Sequence, residues 1–250
     1  MIYFISDLHL SPQRPEITQA FYYFLKNIAH DAEQLYILGD FFDAWVGDDD
    51  DTPLFREIEQ ALLHFNNAKI GSKRIYFMHG NRDFMVGSDF AERTGVTLLD
   101  DPTLIDLNGN KTLLMHGDSL CTLDQEYMAF RQTVRNPAWQ KEILKKPLEE
   151  RLAIAAQMQA TSQSMNSIKA EDIMDVTPEE VVKTMEENKT TLLIHGHTHR
   201  PDRHTVELNH HVKAERIVLG DWHHKAWYLV ATDNAIELKQ LNLLDLAFRE

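Results

Sequence analysis

Short runs of β-branched and aromatic residues recur along the chain, and most of them are bounded by Gly or Asp. Runs of about four to eight such residues are typical of buried strands. We predict strands over 2–5, 35–38, 74–78, 112–115, 191–194 and 216–219. Between the early strands, helices are predicted over 16–29 and 53–65. This β-α-β alternation predicts an α/β (α+β) fold.

Two stretches depart from this alternation. Residues 226–231 and 235–241 are joined by Asp233-Asn234 and predict a hairpin. Residues 123–176 show helical spacing and no convincing strand. We therefore expect this stretch to be a helical cap inserted into a core formed by residues 1–122 and 177–250.

Composition and charge narrow the classes of partner. With 250 residues, 43% of them hydrophobic and 26% charged, the chain has the composition of an ordinary globular protein. Its net charge of −14 disfavours general binding to nucleic acid or to anionic lipid, because both would repel it. Over residues 121–169, however, seven Lys and Arg against five Asp and Glu give a charge of +2. We expect an anionic ligand near that segment and no nucleic acid.

Cysteine content and the start of the chain bear on location. The single cysteine, Cys121, excludes an internal disulfide framework. The first residues lack the basic start and apolar run of a secretory signal. No stretch has the roughly eighteen uncharged apolar residues of a membrane-spanning helix. We expect a cytoplasmic protein.

Five short polar motifs follow predicted strands. Ligands of open α/β sheets bind beyond the carboxyl ends of the strands, so we expect these motifs to converge on one site. The motifs are Asp7-Leu8-His9, Gly39-Asp40-Phe41-Phe42-Asp43, Gly80-Asn81-Arg82-Asp83, His116-Gly117-Asp118 and Gly196-His197-Thr198-His199.

The side chains in these motifs predict a metal site. They offer imidazole nitrogens and carboxylate or amide oxygens without a thiolate, a donor set that suits Mn, Fe, Zn or Co. Seven ligands exceed the needs of one ion, whereas two ions sharing a carboxylate form the recurrent clamp for phosphoryl displacement by water. The predicted ligands are Asp7, His9, Asp40, Asn81, His116, His197 and His199.

Other polar clusters have simpler interpretations. His197 and His199 alternate on an extended segment and point the same way, whereas His195 lies inside a strand and is interpreted as structural. The four carboxylates of 48–51 diverge in direction, which favours a solvated loop over a metal site. Four further histidines lack a carboxylate motif and are expected at the surface or behind the ligands: His210, His211, His223 and His224.

In this order and spacing, the five motifs resemble the calcineurin-like metallophosphoesterase superfamily over nearly the whole chain outside the predicted insertion. The resemblance implies a β sandwich of mixed sheets flanked by helices. It also implies one ion held by Asp7, His9, Asp40 and His199. The second ion would be held by Asp40, Asn81, His116 and His197, with Asp40 bridging.

One residue departs from the commonest pattern of that superfamily. Many members have His where this chain has Arg82, and that His is credited with protonating or stabilising the leaving oxygen. Arginine stays protonated, yet its planar guanidinium matches phosphate oxygens. A catalyst without this acid suits a leaving phosphate monoester, whose second pKa is about 6. We therefore expect a diphosphate substrate.

A closer resemblance is to the family of diphosphatases that hydrolyse UDP-2,3-diacylglucosamine in lipid A biosynthesis. It is carried by residues 80–83, 116–122, 173–176, 195–201 and 219–222. The resemblance implies water attack at the α phosphorus, with manganese as the preferred metal, giving UMP and 2,3-diacylglucosamine 1-phosphate (lipid X). The catalytic residues it implies are Asp40, Asn81, Arg82 and His116.

The predicted cap acquires a role through this resemblance. Ser162, Asn166 and Lys169 are spaced i, i+4 and i+7 and share one helix face, which by spacing alone favours a solvent-exposed surface. The resemblance implies instead that they contact the glucosamine and phosphate of the substrate. The other substrate contacts that it implies are Asn81, Arg82, Asp124 and His197.

A lipid substrate and the absence of a predicted span imply reversible docking on the cytoplasmic face of the inner membrane of a Gram-negative bacterium, as a peripheral protein. No obligate protein partner is evident. Two alternatives stay open at this point. One is another dimetal phosphodiesterase or nuclease on the same scaffold, and the other is a non-catalytic scaffold protein that retains the fold.

Overall fold

The computed structural model describes residues 1–68, 74–166 and 173–243, without the side chains of Gln163, Met165 and Asn166. Within these residues two mixed sheets face each other, and helices cover their outer faces. The predicted α/β class with a sandwich of mixed sheets is confirmed. The strands are β1 Ile2–Ile5, β2 Gln34–Leu38, β3 Arg74–Met78, β4 Thr97–Leu99, β5 Thr103–Leu107, β6 Asn110–Met115, β7 Leu192–His195, β8 Asp202–Leu208, β9 Val212–Val218, β10 Lys225–Ala231 and β11 Ile236–Asn242.

Parallel strands lie at the centre of both sheets. The first sheet has the order β11-β10-β1-β2-β3-β4, in which β1 to β4 are parallel and β10-β11 is an antiparallel hairpin. The second has the order β5-β6-β7-β9-β8, in which β6, β7 and β9 are parallel. Within each sheet the carboxyl ends of these parallel strands point to the same side of the sheet. The polar motifs come directly after these strand ends.

The helices are α1 Pro15–Tyr23, α2 Pro53–Asn67, α3 Ser88–Thr94, α4 Gln125–Val134, α5 Pro137–Leu144, α6 Leu148–Asn166 and α7 Pro178–Glu187. A π-helical segment, Phe24–Ile28, continues α1 and accounts for the predicted helix over 16–29. Helices α1, α2 and α3 cover the first sheet, and α7 covers the second. The alternation of side chains along β1 illustrates the layering, because Phe4 is buried between the sheets and Tyr3 and Ile5 are buried beneath the helices.

Helices α4, α5 and α6, here called the cap helices, follow β6. No strand lies between β6 and β7 in the described part of the chain. The division into a core of 1–122 and 177–250 and a cap of 123–176 stays a prediction. Among the described residues, no helix combines the length and apolar character needed to span a bilayer.

The interpretation of 48–51 as a solvated loop is wrong for two of its four residues. Asp48 accepts hydrogen bonds from the N–H groups of Gly87 and Phe90 at the start of α3, at 3.0 and 2.9 Å. Asp50 is 3% exposed and accepts from both the N–H and the hydroxyl of Thr52. The carboxylates do diverge, but helix starts on either side supply donors that the sequence pattern does not reveal.

Candidate active site

Backbone hydrogen bonds bring the strand-end loops together. The N–H of Asp7 donates to Gly39 O at 3.1 Å, and the N–H of His9 donates to Asp40 O at 3.0 Å. Between the sheets, the N–H of His197 donates to the Asp7 carboxylate at 3.0 Å. Residues nearly two hundred positions apart thus lie in one site. These hydrogen bonds bring the first, second and fifth motifs together, as predicted.

Five of the seven predicted ligands have a left-handed backbone conformation. Their φ angles lie between 50° and 69°, a region that side chains other than Gly and Asn rarely occupy. Such strain is typical of functional sites, where the surrounding structure enforces a geometry that local preference disfavours. The five residues are Asp7, His9, Asp40, His197 and His199.

Two glycines allow the second and third motifs to cross in contact. Gly39 has φ +87°, and a Cβ on it would lie 2.6 Å from Gly80 Cα. A Cβ on Gly80 would lie 2.1 Å from the backbone nitrogen of Asp40. A side chain at either position would force apart the loops that carry Asp40 and Asn81.

Asp83 holds the second and third motifs together where they cross, a role that was not predicted from the sequence. Its carboxylate is fully buried and accepts hydrogen bonds from the N–H groups of Gly80 and Phe41, both at 2.7 Å. The N–H of Asp40 lies 3.3 Å from the same carboxylate. The signal was present in the sequence, since an acid that ends a glycine-containing turn can accept from neighbouring N–H groups.

The first group of candidate ligands consists of Asp7, His9 and His199. Their donor atoms lie within 4.8 Å of one another. His199 Nε2 is 3.3 Å from Asp7 Oδ1 and 3.4 Å from His9 Nε2. Asp7 Oδ1 is buried and receives no hydrogen bond among the described residues. A buried carboxylate oxygen in that state fits a cation, so the residues present suit a divalent ion.

The second group lies around His116. Its Nδ1 is 2.9 Å from Leu38 O, to which we assign a donated hydrogen bond, so that Nε2 is left with a lone pair for a metal. That Nε2 lies 3.0 Å from Asn81 Oδ1 and 3.7 Å from Asp40 Oδ1. The His197 ring is 5.1 Å from the His116 ring, centroid to centroid. The structure therefore brings all seven predicted ligands together, while their division between two ions stays a prediction.

Burial and neighbouring charge shift the pKa values of these groups. Burial lowers the pKa of His9 to about 3 and of His197 to about 4, which keeps both rings neutral near pH 7. Neutral imidazole is the form that ligates metal. Burial also raises the pKa of Asp40 to about 7. The pKa of Asp7 is lowered: burial acts to raise it, but the neighbouring imidazole of His199 outweighs that effect.

Two carboxylates lie behind the histidines of the first group. Asp43 Oδ1 is 3.9 Å from His9 Nδ1, and Asp221 Oδ2 is 3.8 Å from His199 Nδ1. In metal sites a carboxylate behind a ligating imidazole orients the ring and raises its basicity. Asp43 also lies 3.3 Å from the amide nitrogen of Gln159 in α6. Neither carboxylate had been assigned a role from the sequence.

His195 occupies the last position of β7 and is fully buried. Its Nδ1 is 2.8 Å from Gly196 O, and its Nε2 is 3.1 Å from Arg216 Nη1. These two partners account for both ring nitrogens, which agrees with a structural role. Two of the four histidines expected at the surface or behind the ligands have described partners. His211 is exposed and pairs with Glu207 at 2.6 Å, and His223 lies 3.2 Å from Arg14.

A cavity of about 420 Å³ opens beside the candidate ligands and runs beneath the cap helices. Several predicted substrate contacts line its polar end: Asn81, Arg82, Asp124 and Ser162. The rest of its lining is largely apolar and includes Trp45, Phe84, Met85, Trp139, Ile143 and Met158. Of the remaining predicted contacts, Lys169 and the side chain of Asn166 lie outside the described residues.

Comparison with known proteins gives a family match and a set of relatives. The model of the calcineurin-like phosphoesterase family matches residues 1–201. A UDP-2,3-diacylglucosamine hydrolase of Cellvibrio japonicus is 55% identical over 96% of this chain and 98% of its own. Relatives of the same name from Marinobacter nauticus and Hahella chejuensis are 54% and 49% identical, over 92% and 98% of this chain and 93% and 98% of their own.

Proposed function

Because the chain belongs to the calcineurin-like phosphoesterase family of metal-dependent hydrolases, we propose that it hydrolyses the diphosphate of UDP-2,3-diacylglucosamine. Water attacks the α phosphorus, and the products are UMP and 2,3-diacylglucosamine 1-phosphate. Relatives that align over nearly the whole chain carry the name of this hydrolase, which supports the substrate. The reaction belongs to lipid A biosynthesis.

The cavity is the observation that carries this proposal. It joins a polar end, formed by the candidate ligand Asn81 and its neighbour Arg82, to an apolar space lined by residues of α5 and α6. An amphiphile with a diphosphate head and acyl chains matches both parts, whereas a nucleic acid or a cyclic nucleotide has nothing to fill the apolar part. Its volume of about 420 Å³ lies within the range of roughly 300–1,000 Å³ for pockets that enclose small ligands.

Two divalent ions, which we propose to be manganese, fit the donor atoms. One is held by Asp7, His9, Asp40 and His199, and the other by Asp40, Asn81, His116 and His197. Such ions, when bound, lower the pKa of water and neutralise phosphate charge. Burial keeps His9 and His197 in the neutral form that this binding requires.

The chain's own side chains position the substrate. Arg82, at the polar end of the cavity, offers a fork of N–H groups that matches two phosphate oxygens. Asn81 and His197 contact the phosphate, and Asp124 and Ser162 contact the glucosamine side. Asn166 and Lys169 are proposed to complete this binding surface. Since Arg82 donates no proton, the leaving group must depart as a phosphate monoester, which agrees with a diphosphate substrate.

The test is hydrolysis of UDP-2,3-diacylglucosamine in ¹⁸O-labelled water, followed by mass spectrometry of the products. We expect manganese-dependent release of UMP that carries the label, and no release with a chelator. Label in the lipid phosphate instead would place the attack at the other phosphorus. The Asp40→Ala variant is the matched control for metal dependence, because it removes the carboxylate proposed to bridge both ions.

Assays with other phosphodiesters distinguish the proposed substrate from the more general activity of a phosphodiesterase. Hydrolysis of bis(p-nitrophenyl) phosphate without turnover of the UDP-lipid would leave a phosphodiesterase and remove the lipid assignment. Activity on DNA or cyclic nucleotides above that on the UDP-lipid would favour the alternative of a nuclease or another phosphodiesterase.

A further inference from the structure

Asp118 is a buried carboxylate two residues after the candidate ligand His116. It begins a short 3₁₀ turn, Asp118–Leu120, and is fully buried. The preceding Gly117 has φ +116°, and a Cβ on it would lie 2.7 Å from His195 Nδ1, so the chain turns tightly here. Asp118 is not among the predicted ligands, so its complete burial beside the candidate site must have another purpose.

Two side chains of α4 bind this carboxylate. Tyr127 donates its hydroxyl to Asp118 Oδ2 at 2.7 Å, and Arg131 donates its Nε–H to the same oxygen at 2.8 Å. The two residues are spaced i and i+4 and therefore lie on one face of the helix. Hydrogen bonds to an ionised, buried acceptor are stronger than those between neutral groups. Asp118 thus fastens α4 to the loop that carries His116.

The next residue on the same face, Arg135, extends the attachment to the third motif. Its Nη2 donates to Gly80 O at 2.9 Å and to His79 O at 3.2 Å, next to Asn81 in the chain. Arg131 Nη2 also lies 3.7 Å from the buried carboxylate of Asp101. One helix face therefore contacts two of the loops that supply candidate ligands.

The first turn of α4 faces the substrate cavity. Asp124 caps the helix by accepting the N–H of Tyr127 at 3.0 Å, and both residues line the cavity. The Tyr127 ring lies 5.7 Å from the His197 ring, centroid to centroid. A shift of α4 would therefore move Asp124 and Tyr127 out of their places in the cavity lining.

We propose that Asp118 is a positioning residue for the lipid substrate, because its bonds to Tyr127 and Arg131 hold the first turn of α4 against the candidate metal ligands. This inference rests on the proposed function, since it requires a substrate long enough to reach α4. Asp118 acts through α4, and a small phosphodiester that stays beside the ions does not need that helix.

The experiment compares two substrates on the Asp118→Asn variant of the full chain. We measure kcat and KM for UDP-2,3-diacylglucosamine and for bis(p-nitrophenyl) phosphate. The expected result is a fall of about 10- to 100-fold in kcat/KM for the lipid relative to the small substrate, which is the range expected when a buried polar contact to the substrate is lost. Most of the fall should lie in KM, because the lost contacts bind the ground state.

Further variants make the test specific to α4. Tyr127→Phe and Arg131→Gln should lower the same ratio, and the Asp118→Asn, Tyr127→Phe double variant should fall by less than the product of the two single effects, because the residues act as a unit. Gln132→Ala, on the exposed side of α4, is the matched control and should leave the ratio within about twofold. Metal content is measured for every variant.

The outcomes separate the two proposals. Equal losses on both substrates, or an unchanged ratio in the Tyr127→Phe and Arg131→Gln variants, would overturn the positioning role. If Asp118→Asn does not fold, Tyr127→Phe and Arg131→Gln alone decide whether Asp118 has the positioning role. No turnover of the UDP-lipid by the unaltered protein would overturn the proposed function and remove the premise of this inference.

Discussion

At the scale of single residues, the site is held by side chains that stand behind the candidate ligands. Asp43 and Asp221 face the outer nitrogens of His9 and His199 at 3.9 and 3.8 Å. Asp83 holds the crossing of the second and third motifs through buried hydrogen bonds to backbone N–H groups. The candidate ligands are therefore supported by carboxylates that lie outside the predicted ligand set.

The carboxylate behind His199 leads to a prediction about metal affinity. Asp221→Asn removes the charge that orients the His199 ring, and such changes typically weaken metal binding by about 10- to 100-fold. We expect one of two manganese ions to bind more weakly, measured by competition with a fluorescent chelator on metal-free protein. Asp233→Asn, in the exposed turn of the β10-β11 hairpin, should leave both affinities unchanged. Equal weakening in the two variants would contradict the orienting role.

Asp83 leads to a prediction about stability. Asp83→Ala leaves the buried N–H groups of Gly80 and Phe41 without their acceptor, at roughly 1–3 kcal/mol for each unsatisfied group. The free energy of unfolding, measured in urea, should fall by about 2–5 kcal/mol. Asp89→Ala, at an exposed position in the first turn of α3, should change it by less than about 1 kcal/mol. If Asp83→Ala lowered the free energy of unfolding by less than about 1 kcal/mol as well, the crossing of the second and third motifs would not depend on Asp83.

At the scale of elements, the loop after β2 holds the longest cap helix at two points. Arg151, near the start of α6, pairs with Asp49 and donates to Val46 O at 2.7 Å. Gln159, two turns further on, donates to Asp43 O at 2.8 Å. The acidic loop thus has a structural purpose that its composition did not suggest, because the partners lie about a hundred residues away.

The pair between Asp49 and Arg151 should give α6 a pH dependence. The hydrogen bond from Arg151 lowers the pKa of Asp49 below its ordinary value of 3.8. A carboxyl whose pKa is depressed in the folded protein contributes stability that is present above 3.8 and is lost as the pH falls through the lower, folded value.

The measurement is hydrogen exchange of α6 in the unaltered protein and in Asp49→Asn. Protection of the helix should be greater in the unaltered protein above the ordinary carboxyl pKa of 3.8, and the difference should disappear as the pH falls through the lower, folded pKa of Asp49. A difference that persists at low pH would mean that the charge of Asp49 does not hold α6.

The sequence predicted the central strands and the β10-β11 hairpin, and it missed the edge strands β4, β5 and β8. Strands β1 to β3, β6, β7, β9 and the β10-β11 hairpin lie where apolar runs predict them, although β9 begins four residues before the predicted 216. In the missed strands β5 and β8, half-buried residues alternate with exposed ones, only the last residue is buried, and charged residues occur. Alternation of that kind is typical of edge strands, which lack the continuous apolar run of a buried one.

For the site, motif order predicted which residues meet, since the loops follow parallel strands. It did not predict the roles of Asp118 and Asp221, which depend on side-chain contacts that motif order does not show. It did not predict the cavity either, which depends on how α4 and α6 pack against loops that are remote in sequence. The ligand roles and the substrate contacts stay predictions.

At the scale of the whole molecule, a protein with a lipid substrate must reach a membrane. We propose that it docks through the cap helices, where Leu144 and Leu152 are 46% and 44% exposed beside a group of lysines. Two of these lysines lie in the turn between α5 and α6 and pair with acids of the flanking helices, Lys145 with Glu142 and Lys146 with Glu150, which reduces their attraction for lipid. Exposed apolar and basic surface together are typical of reversible docking.

Charge reversal tests this docking. Replacing Lys141, Lys145 and Lys146 by Glu should weaken flotation with vesicles of phosphatidylglycerol and phosphatidylethanolamine by about 1 kcal/mol or more per charge. Metal content should not change, because none of the three lysines is a candidate ligand or lines the cavity beside the ligands. The matched control replaces Lys183, Lys213 and Lys225 by Glu, outside the cap helices. Equal flotation of both triple variants would refute docking through the cap.

The hydrogen bond from His197 to Asp7 joins positions 190 residues apart, and this separation has a consequence for biosynthesis. A ribosome that has made the first four motifs has not yet produced the partner that closes the site. Contacts so distant in sequence form late in folding, after the intervening chain has been ordered. The growing polypeptide therefore carries an incomplete candidate site, which closes only after residue 197 has been synthesised.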